Sequence, residues 1–381
     1  MSGLTVGINL LWLVPGAVGG SEQSAVAGLH GMQALASPDL DVRLFVLRSF
    51  VDAHPDLVAA FPTEVLPCSG RFRPARIAAE ATWLARRTRG LDVVHHAGGT
   101  APARPATAPY VLTVHDLQPL EQNVTHGGLK RAYLRRVVPR SMRRAKAVIV
   151  PSDFVRSTVL ARVDLDPNIV VTIPHCVEPI AGPVTPPEVL RVRYRLEGPV
   201  VLYPAITYPH KNHVTLIEAF AAVHRHHPAA VLVLPGGEGA CEAGVQAQVE
   251  RLGLTDCVRR LGRISEADKN GLFEMAQVVA VPSTYEGFGI PAAEAMSAGV
   301  ALVAARAASL PEVVGEAGIL LDPTDVPAWA EAITGLLADP EERARLAGLG
   351  RARAGRFLGT ANASALADLY RRVCARGERS D

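Results

Sequence analysis

Glu286 and Glu294 lie eight positions apart in the chain, on either side of the segment GFGIP. Glycines let this segment approach a ligand closely, and its backbone amides can donate hydrogen bonds to hydroxyl or phosphate oxygens. Carboxylates accept hydrogen bonds from neighbouring hydroxyl groups. The pattern therefore predicts a site in which each glutamate grips a diol and the amides of Gly287 to Ile290 assist.

The elements around this pair decide where each carboxylate lies. The apolar run QVVAVPS predicts a buried strand, and the proline at 291 favours a helix that opens at Ile290 or Pro291. Glu286 then lies in the loop, where an acid has no evident structural use. We expect Glu294 in the first turn of the helix, where an acid also stabilises the helix and so has a structural explanation as well.

Lys211 follows a predicted strand in YPAITYPHKNH, residues 203–213, and precedes a predicted helix. A cation is unfavourable near a helix N-terminus unless an anion shares the site. A bound diphosphate would meet this requirement, whereas the structural alternative is a solvated lysine. His210 and His213 lie three positions apart without a third ligand, so no metal site is predicted here.

The glycine-rich segment VPGAVGGSEQSAVAGL follows the first predicted strand. Gly19 and Gly20 allow a tight turn, and Ser21 is a favourable N-cap for the helix that follows. Free amides at such a helix start attract anions, which predicts a site for a phosphate or a charged substrate group. The alternative is a turn with a structural role only, and the spacing is not the GxGxxG of dinucleotide folds.

His115 and Asp116 occur in TVHDLQP, residues 113–119, at the end of another predicted strand. Ligands of open α/β sheets bind outside the carboxyl ends of the strands. One interpretation is that His115 contacts a substrate hydroxyl or phosphate. The other is a His–Asp pair that caps the strand end, and these residues alone leave both open.

Strand-like apolar runs alternate with helical patterns along most of the chain, which predicts an α/β fold with parallel sheets. The runs in the first half are LTVGINLLWL, VRLFVL, LDVVHH, YVLTVHD, AVIVPS and IVVTIP, and those in the second half are PVVLYPA, AAVLVLPGG, CVRRLG, QVVAVPS and ALVAA. Helices are expected over 213–227, up to about 252, from 265, from about 291, and throughout the stretch beyond 325.

The length of 381 residues exceeds what one hydrophobic core usually serves, so we expect two domains. The proline-rich segment 179–190 predicts an interdomain linker without regular structure. This linker separates a domain of residues 1–178 from a domain of residues 191–358, and a helix over 359–381 is expected to pack back on the first domain. We expect the ligand between the two domains, at the carboxyl ends of the strands.

The composition bears on the location of the protein. Five scattered cysteines without CxxC spacing indicate neither a disulfide framework nor a zinc site, and they favour the cytoplasm. The N-terminal MSGLTVGINLLWLVPG lacks a basic region, so we interpret it as a strand rather than a signal peptide. No apolar stretch reaches the roughly 20 residues of a membrane span, so we expect a soluble or peripheral protein. The abundance of alanine and arginine indicates a bacterium of high genomic GC content.

The net charge of +2 conceals a basic segment, residues 130–146, with eight Lys or Arg and no acid. This segment is either a solvated helix face or a surface that attracts an anionic membrane or a phosphorylated acceptor. Val137, Val138 and Met142 give the predicted helix a narrow apolar stripe, so stable membrane insertion is not expected. A net charge so close to zero gives no reason to expect a nucleic-acid partner.

Taken together, these segments resemble the retaining glycosyltransferases of family 4. The motif is a glutamate, seven residues and a second glutamate, in the setting PSTYEGFGIPAAEAMSAGVALVAARAASLPEVVGEAGILLDPTD. GGSE at 19–22, HD at 115–116 and KN at 211–212 occur in the family's order, so the resemblance covers nearly the whole chain. It implies the GT-B fold, in which two Rossmann-like parallel-sheet domains face each other across a cleft.

The resemblance also implies roles on the donor side. Glu294 would hold the ribose hydroxyls of a nucleotide, and Glu286 would hold hydroxyls of the donor sugar. Lys211 would neutralise the diphosphate. The other implied donor-side residues are Phe288, Gly289 and Ile290, through their amides, and Arg263 and Ile264, which would grip the base.

In the first domain, the resemblance implies that His115 contacts the donor sugar near the reacting carbon. Gly19 and Gly20 would approach the diphosphate or the acceptor. The remaining residues implied on the acceptor side are Ser21, Glu22 and Asp116.

One position departs from the family pattern. The family usually has an arginine five positions before the lysine, where this chain has Ile206. A positive charge is therefore missing where negative charge develops on the leaving group. Either another cation substitutes, or phosphate binding relies on Lys211 and the helix amides.

The implied reaction is the transfer of a sugar from a nucleoside diphosphate sugar to an acceptor hydroxyl, with retention at the anomeric carbon. Front-face substitution without a metal ion or other cofactor is the implied mechanism. The PHKNH form favours GDP-mannose over a UDP-hexose as donor. The acceptor would be a carbohydrate, a lipid or a natural product.

Three other readings share parts of this pattern. A non-hydrolysing nucleotide-sugar epimerase has the same architecture but would need further acid and base residues near the sugar. A non-catalytic protein that binds sugar nucleotides is supported by the missing arginine alone. A nicotinamide oxidoreductase is disfavoured because neither half contains a clear GxGxxG.

Overall fold

The computed structural model describes residues 3–17, 19–70, 72–102, 108–118, 128–180 and 182–377, with the side chains of 128–131 and 376–377 left out. Pro119 of TVHDLQP and the side chains of Lys130 and Arg131 in the basic segment therefore lie outside the description. The chain divides into two compact units. Unit 1 comprises Met1–Cys176 and Leu358–Asp381, and unit 2 comprises Val177–Phe357.

A seven-stranded parallel sheet forms the centre of unit 1, with strand order β3-β2-β1-β4-β5-β6-β7. Its strands are β1 Leu4–Asn9, β2 Leu40–Leu47, β3 Thr63–Leu66, β4 Val93–His96, β5 Tyr110–Thr113, β6 Ala147–Val150 and β7 Val170–Thr172. β1 is an interior strand, and its Val6 aligns with Val42 on one side and Val93 on the other. All three valines are buried, as parallel sheets covered on both faces require.

A six-stranded parallel sheet forms the centre of unit 2, with strand order β10-β9-β8-β11-β12-β13. Its strands are β8 Val200–Leu202, β9 Val231–Pro235, β10 Val258–Gly262, β11 Val278–Val281, β12 Ala301–Ala305 and β13 Ile319–Leu321. The order reverses direction between β8 and β11. In open α/β sheets ligands bind at such a switch point, beyond the carboxyl ends of the strands.

Helices connect most of these strands. They are α1 Gly20–Leu35, α2 Arg48–Ala53, α3 Pro55–Ala60, α4 Arg73–Ala79, α5 Ala85–Arg87, α6 Gly128–Arg144, α7 Asp153–Arg162, α8 Pro187–Tyr194, α9 His213–His226, α10 Glu242–Arg251, α11 Glu266–Met275, α12 Ile290–Ala298, α13 Leu310–Val314, α14 Val326–Ala338, α15 Pro340–Ala354 and α16 Gly359–Gly377. A π-helical turn, Glu80–Leu84, joins α4 to α5. In the part of the chain described, no helix is both long and apolar enough to cross a membrane.

Helix α16 belongs to unit 1 although it follows unit 2 in the chain. Its Tyr370 is fully buried and shares a hydrogen bond of 2.8 Å with His95 Nδ1 in β4. α16 also packs on α1, where a Cβ atom at Gly31 would lie only 2.0 Å from the carbonyl oxygen of Gly359. Only glycine at position 31 permits so close an approach of the two backbones.

The predicted α/β class with two parallel sheets is confirmed, but two strands and, in unit 2, the helices α8 and α13 were missed. β3 and β13 were not predicted, and β13 has only three residues. The expectation that 179–190 holds no regular structure is wrong, because α8 begins at Pro187. Proline fits the first turn of a helix, where its missing N–H has no intrahelical partner. The segment lies within unit 2 rather than outside both units.

Candidate functional site

The loop between β11 and α12 places Glu286 beside the start of a helix. Gly289 is the N-cap of α12 and has φ of 95°, a conformation that side-chain-bearing residues rarely adopt. A Cβ atom there would also lie 2.6 Å from Leu310 Cδ2. The helix begins at Ile290, so Glu294 is its fifth residue. The expected position of Glu294 in the first turn is therefore wrong, and the helix N-terminus does not explain this acid.

Lys211 is fixed by the residues on both sides of it. It ends a 3₁₀ turn, Pro209–Lys211, and Asn212 follows in the left-handed conformation as the N-cap of α9. The Asn212 side-chain amide donates to the carbonyl oxygens of Pro282 (3.1 Å) and Pro323 (2.8 Å). These bonds join the lysine turn to the loop that carries Glu286.

Lys211 and Glu286 form an ion pair, with 2.6 Å between Nζ and Oε1. Their side chains are only 15% and 10% exposed, so the pair is largely shielded from water. Two hydrogen bonds hold the glutamate loop in place: Ser309 Oγ donates to the Glu286 carbonyl at 2.9 Å, and the Thr284 amide donates to the His210 carbonyl at 2.8 Å. Two predicted site residues that are distant in sequence are thus brought into contact.

Glu294 is paired with a residue that the sequence analysis missed. Lys269 Nζ in α11 lies 2.8 Å from Glu294 Oε1 and 2.9 Å from Glu266. Burial would lower the pKa of Lys269, but the two carboxylates outweigh burial and raise the pKa. Lys269 therefore remains charged and fixes the orientation of the Glu294 carboxylate.

The neighbourhood of Ile206 contains a largely buried arginine, Arg260, in an ion pair with Glu242. Thr207 donates its hydroxyl to Glu242 Oε2 at 2.7 Å, and the same carboxylate oxygen lies 2.9 Å from Arg260 Nη2. Arg260 also donates to two backbone carbonyl oxygens, at 2.8 and 3.0 Å. Glu242 thus compensates the charge of this guanidinium, whose donors are used to hold the protein together.

The other donor-side candidates, Phe288, Arg263 and Ile264, differ in burial and in the groups that they contact. Phe288 is 3% exposed and packs edge-on against Phe357, with ring centroids 5.2 Å apart, so its side chain belongs to the core. Arg263 lies beside Gly237, where a Cβ atom would approach Arg263 Nε to 3.2 Å. Ile264 is half-buried and packs against the core of unit 2.

In unit 1 the glycine turn differs in detail from the expectation. Helix α1 begins at Gly20, its N-cap is Gly19 with φ of 78°, and no side chain caps it. The expectation that Ser21 is the N-cap is therefore wrong, because the helix starts before it. The amide of Gly16 donates to both carboxylate oxygens of Glu22, at 3.0 Å each, so an acid of the protein binds one amide of the turn.

His115 is held by two protein partners. One ring nitrogen, Nε2, lies 2.8 Å from the carbonyl oxygen of Ala97, and the other, Nδ1, lies 3.2 Å from His175 Nε2. A carbonyl only accepts, so His115 Nε2 donates, and in the neutral ring Nδ1 then accepts from His175. His175 Nδ1 accepts in turn from Ser24 Oγ at 3.0 Å. Burial lowers the pKa of both histidines, which keeps this chain of hydrogen bonds neutral.

Asp116 does not pair with His115. Its Oδ1 accepts a hydrogen bond from the amide of Gln118 at 3.0 Å. The alternative of a His–Asp pair that caps the strand end is therefore wrong. His115 and Ser21 instead line a narrow apolar cavity of about 70 Å³ and a wider cavity of about 290 Å³, both within unit 1.

Helix α6 carries most of the basic segment 130–146. Val138 and Met142 are buried in the core of unit 1, so this apolar stripe is used in packing. The exposed basic residues on the described part of α6 are Arg135, Arg136, Arg140, Arg143 and Arg144. Within the described ranges, no three His, Cys, Asp or Glu side chains are grouped as a metal site would need.

Two family models match the chain, one in each half. The model described as Glycosyltransferase Family 4 matches residues 19–179. The model described as Glycosyl transferases group 1 matches residues 191–353.

Curated relatives match parts of the chain. An O-antigen chain mannosyltransferase B from Escherichia coli is 32% identical over 255 residues, which cover 65% of this chain and 66% of that protein. A D-inositol 3-phosphate glycosyltransferase from Segniliparus rotundus is 36% identical over 177 residues, which cover 45% of this chain and 39% of that protein. The chain thus spans less than two thirds of the length of these relatives.

Solved structures match nearly the whole chain. The Anabaena protein HepE, crystallised with UDP and glucose, has a TM-score of 0.74 at 21% identity over 96% of this chain and 99% of that chain. A sucrose-phosphate synthase from Thermosynechococcus elongatus has a TM-score of 0.72 at 22% identity over 98% of this chain and 100% of that chain. At these identities the likeness concerns the fold.

Proposed function

Because the chain belongs to the family 4 glycosyltransferases and has their α/β GT-B fold, we propose that it is a hexosyltransferase that uses a nucleoside diphosphate sugar. The Lys211–Glu286 ion pair is the observation that carries this proposal. A buried cation and a buried carboxylate stand side by side at the switch point of the unit 2 sheet. The cation matches a diphosphate, and the carboxylate matches the hydroxyls of a sugar.

Unit 2 supplies the donor contacts in this proposal. Glu294, oriented by Lys269, accepts hydrogen bonds from the ribose hydroxyls. Glu286 accepts from hydroxyls of the transferred sugar, and the amides of Phe288, Gly289 and Ile290 assist. Arg263 lies in the loop after β10 and approaches Gly237 in the loop after β9, which supports a role for Arg263 and Ile264 near the base.

In this proposal Lys211 stabilises the negative charge that develops on the leaving diphosphate. Its own charge is matched by Glu286. When a diphosphate binds, the ammonium group turns toward the phosphate oxygens and the carboxylate is released toward the sugar hydroxyls. Arg260 lies near Thr207, but Glu242 compensates its charge and its donors are used within the protein. In this proposal, phosphate binding therefore relies on Lys211 and the helix amides, because this chain has Ile206 where the family has an arginine.

The proposed chemistry is front-face substitution with retention, without a metal ion. The bond between the anomeric carbon and the diphosphate oxygen breaks, the acceptor oxygen bonds to the same face, and the leaving diphosphate takes the acceptor proton. Lys211 stabilises the charge on that diphosphate. Transfer measured with and without EDTA tests the metal-free account, which is abandoned if EDTA abolishes activity and Mg²⁺ or Mn²⁺ restores it.

GDP-mannose is the donor we propose first, with a UDP-hexose as the alternative. The Escherichia coli relative is named as a mannosyltransferase, which supports mannose. The Anabaena neighbour was crystallised with UDP and glucose, which supports the alternative. The acceptor side is assigned to unit 1, with His115, Asp116, Gly19, Gly20, Ser21 and Glu22.

The exposed arginines of α6 support a peripheral contact with an anionic membrane. Each Lys or Arg near such a surface contributes about 1 kcal/mol to the free energy of membrane binding. Because the apolar stripe of α6 is buried in unit 1, the helix would be attracted to the surface without inserting into the membrane. Flotation with liposomes of phosphatidylcholine alone, or with added phosphatidylglycerol, tests this contact. Equal flotation with both compositions would remove it.

The experiment that tests the function is a thermal-shift panel of UDP, GDP and ADP with their common sugars. We expect one nucleoside diphosphate to raise the melting temperature of the parent protein and to have no effect on Glu294→Ala. Glu274→Ala, which removes an exposed acid of α11, is the matched control and should keep the shift. If no nucleotide shifts the parent protein, the transferase proposal is wrong.

A further inference from the structure

The wider cavity of unit 1 is lined by several charged side chains. Its volume is about 290 Å³, close to the lower limit for small-molecule sites. Arg73, Arg76 and Glu80 line it from α4 and the π-helical turn, and Tyr133 lines it from α6. None of these four residues has a role in the donor contacts of unit 2.

Helix α4 and the π turn place the charged groups together. Arg73, Arg76 and Glu80 are spaced by three and four residues, which puts them on one face of the helical segment. The π turn begins at Glu80, and single π turns within helices occur frequently at functional sites. Thr82 donates its hydroxyl to the carbonyl oxygen of Ala78 at 2.7 Å, a bond that bends helices at such points.

The two arginines keep donors available for a ligand. Both are half-buried, and in the described part of the chain no carboxylate lies within ion-pair distance of either. Arg76 donates one long bond, of 3.4 Å, to the carbonyl oxygen of Trp12. Glu80 is buried and accepts from Asn9, and burial raises its pKa to about 7. Its negative charge is therefore incomplete at neutral pH and compensates the two guanidinium groups only in part.

The same cavity is also lined by residues assigned to the acceptor. These are His115 and Asp116, at the carboxyl end of β5, and Ser21, at the start of α1. The cavity thus combines two guanidinium groups with a carboxylate and a histidine that come from other elements of the fold.

We propose that this cavity binds an acceptor that carries an anionic group, and that Arg73 and Arg76 hold that group while the reacting hydroxyl lies toward His115 and Asp116. The guanidinium fork binds phosphate and carboxylate groups through paired hydrogen bonds. A phosphate monoester and a sugar carboxylate share this chemistry. The proposal rests on the glycosyltransferase function and narrows its acceptor to an anionic class.

Binding of three ligands with the same ring tests this site: glucose, glucose 6-phosphate and glucuronate. Isothermal titration of the full chain is expected to show binding of one or both anionic sugars and at least 10-fold weaker binding of glucose. Arg73→Gln and Arg76→Gln should each weaken the anionic ligand about 10-fold or more, and Arg76→Lys less than Arg76→Gln. Arg86→Gln, an exposed position on the same helical segment, is the matched control and should bind as the parent does.

The two anionic probes distinguish a phosphorylated acceptor from an acidic sugar. Tighter binding of glucose 6-phosphate indicates a phosphate group on the acceptor, and tighter binding of glucuronate indicates a carboxylate. Equal affinity for glucose and both anions, or unchanged affinity in both glutamine variants, would overturn the proposal. The thermal shift with nucleoside diphosphate is measured on the same variants. A thermal shift that is retained shows that the arginine variants are folded and that their donor site is intact. A parent protein without any such shift would refute the transferase function independently of this site.

Discussion

Lys211 Nζ and Glu286 Oε1 lie 2.6 Å apart in a site that is largely closed to water. Each charge compensates the other. Removal of one partner from a buried pair leaves the other uncompensated, which costs several kcal/mol. The ion pair therefore fixes the positions of both groups that the proposed donor site needs. These are the cation for the diphosphate and the carboxylate that accepts hydrogen bonds from sugar hydroxyls.

Lys211→Ala should lower kcat/KM by about 100-fold or more, since it removes the cation nearest to the proposed leaving group. Lys211→Arg should retain part of the activity because it keeps the charge. Arg225→Ala, which removes an exposed cation of α9, is the control and should behave as the parent. Steady-state kinetics with the donor found by thermal shift measures the effect. Full activity of Lys211→Ala would show that the diphosphate is bound elsewhere.

Lys269→Gln should weaken nucleoside diphosphate binding by roughly 5- to 50-fold, because the Glu294 carboxylate loses the partner that orients it. The effect should depend on the ribose hydroxyls. The parent protein is expected to prefer a ribonucleoside diphosphate over its 2′-deoxy form, and the variant to lose most of this preference. Titration calorimetry with both nucleotides gives the two ratios. An unchanged preference in the variant would show that Lys269 has only a structural role.

Gly289→Ala should destabilise unit 2 by about 1–3 kcal/mol, because φ of 95° disfavours a side chain and the new Cβ would lie 2.6 Å from Leu310 Cδ2. Donor binding should weaken as well, since the loop carries Glu286. Gly244→Ala is the matched control. No atom lies within 4 Å of a Cβ at this position in α10, so the change should stabilise by up to about 1 kcal/mol. Urea unfolding monitored by hydrogen exchange in unit 2 compares the two.

Glu80→Gln should stabilise unit 1 at alkaline pH. Burial raises the pKa of Glu80 from 4.5 to about 7, so the folded state binds the proton more tightly than the unfolded state. The contribution of Glu80 to the free energy of unfolding is then most favourable below pH 4.5 and falls as the pH rises toward 7. The glutamine variant has no ionisable group here and does not lose this stability. The difference in free energy of unfolding between variant and parent should therefore be roughly 2–3 kcal/mol more favourable to the variant at pH 8 than at pH 4.5.

Urea unfolding at both pH values, monitored by hydrogen exchange in unit 1, measures this difference. Glu64→Gln is the control, because Glu64 lies in a partly exposed ion pair with Arg87. Its effect should be below about 1 kcal/mol and similar at both pH values. A Glu80 variant whose advantage does not grow with pH would show that this carboxyl is not protonated in the folded protein.

The alternation of apolar runs and helical patterns was sufficient to predict the fold class and most of the strands. β13 was missed because its three residues are too few to show a period. α8 was missed because prolines were read as excluding a helix, although Pro187 stands where a helix tolerates one. The missed elements are short, and for such elements tertiary contacts outweigh local propensity.

The site was predictable where its residues lie in one segment and unpredictable where distant segments meet. Glu286, Gly289 and Glu294 share a strand-to-helix connection, so their spacing was informative. Lys269 is 25 residues from Glu294 in sequence, and no local pattern marks it as a partner. The hydrogen bonds of His115 likewise depend on Ala97 and His175, which come from other strand ends.

The discontinuous composition of unit 1 has a consequence for its synthesis. The chain leaves this unit after Cys176 and returns only at Leu358, and α16 then supplies Tyr370 to the core. On the ribosome, residues up to 176 must therefore wait, with an apolar surface uncovered, until all of unit 2 has emerged. Unit 2 is continuous and can fold at once, so the later-translated domain is expected to reach its native state first. A nascent chain stalled before α16 should be a better chaperone substrate than the released protein.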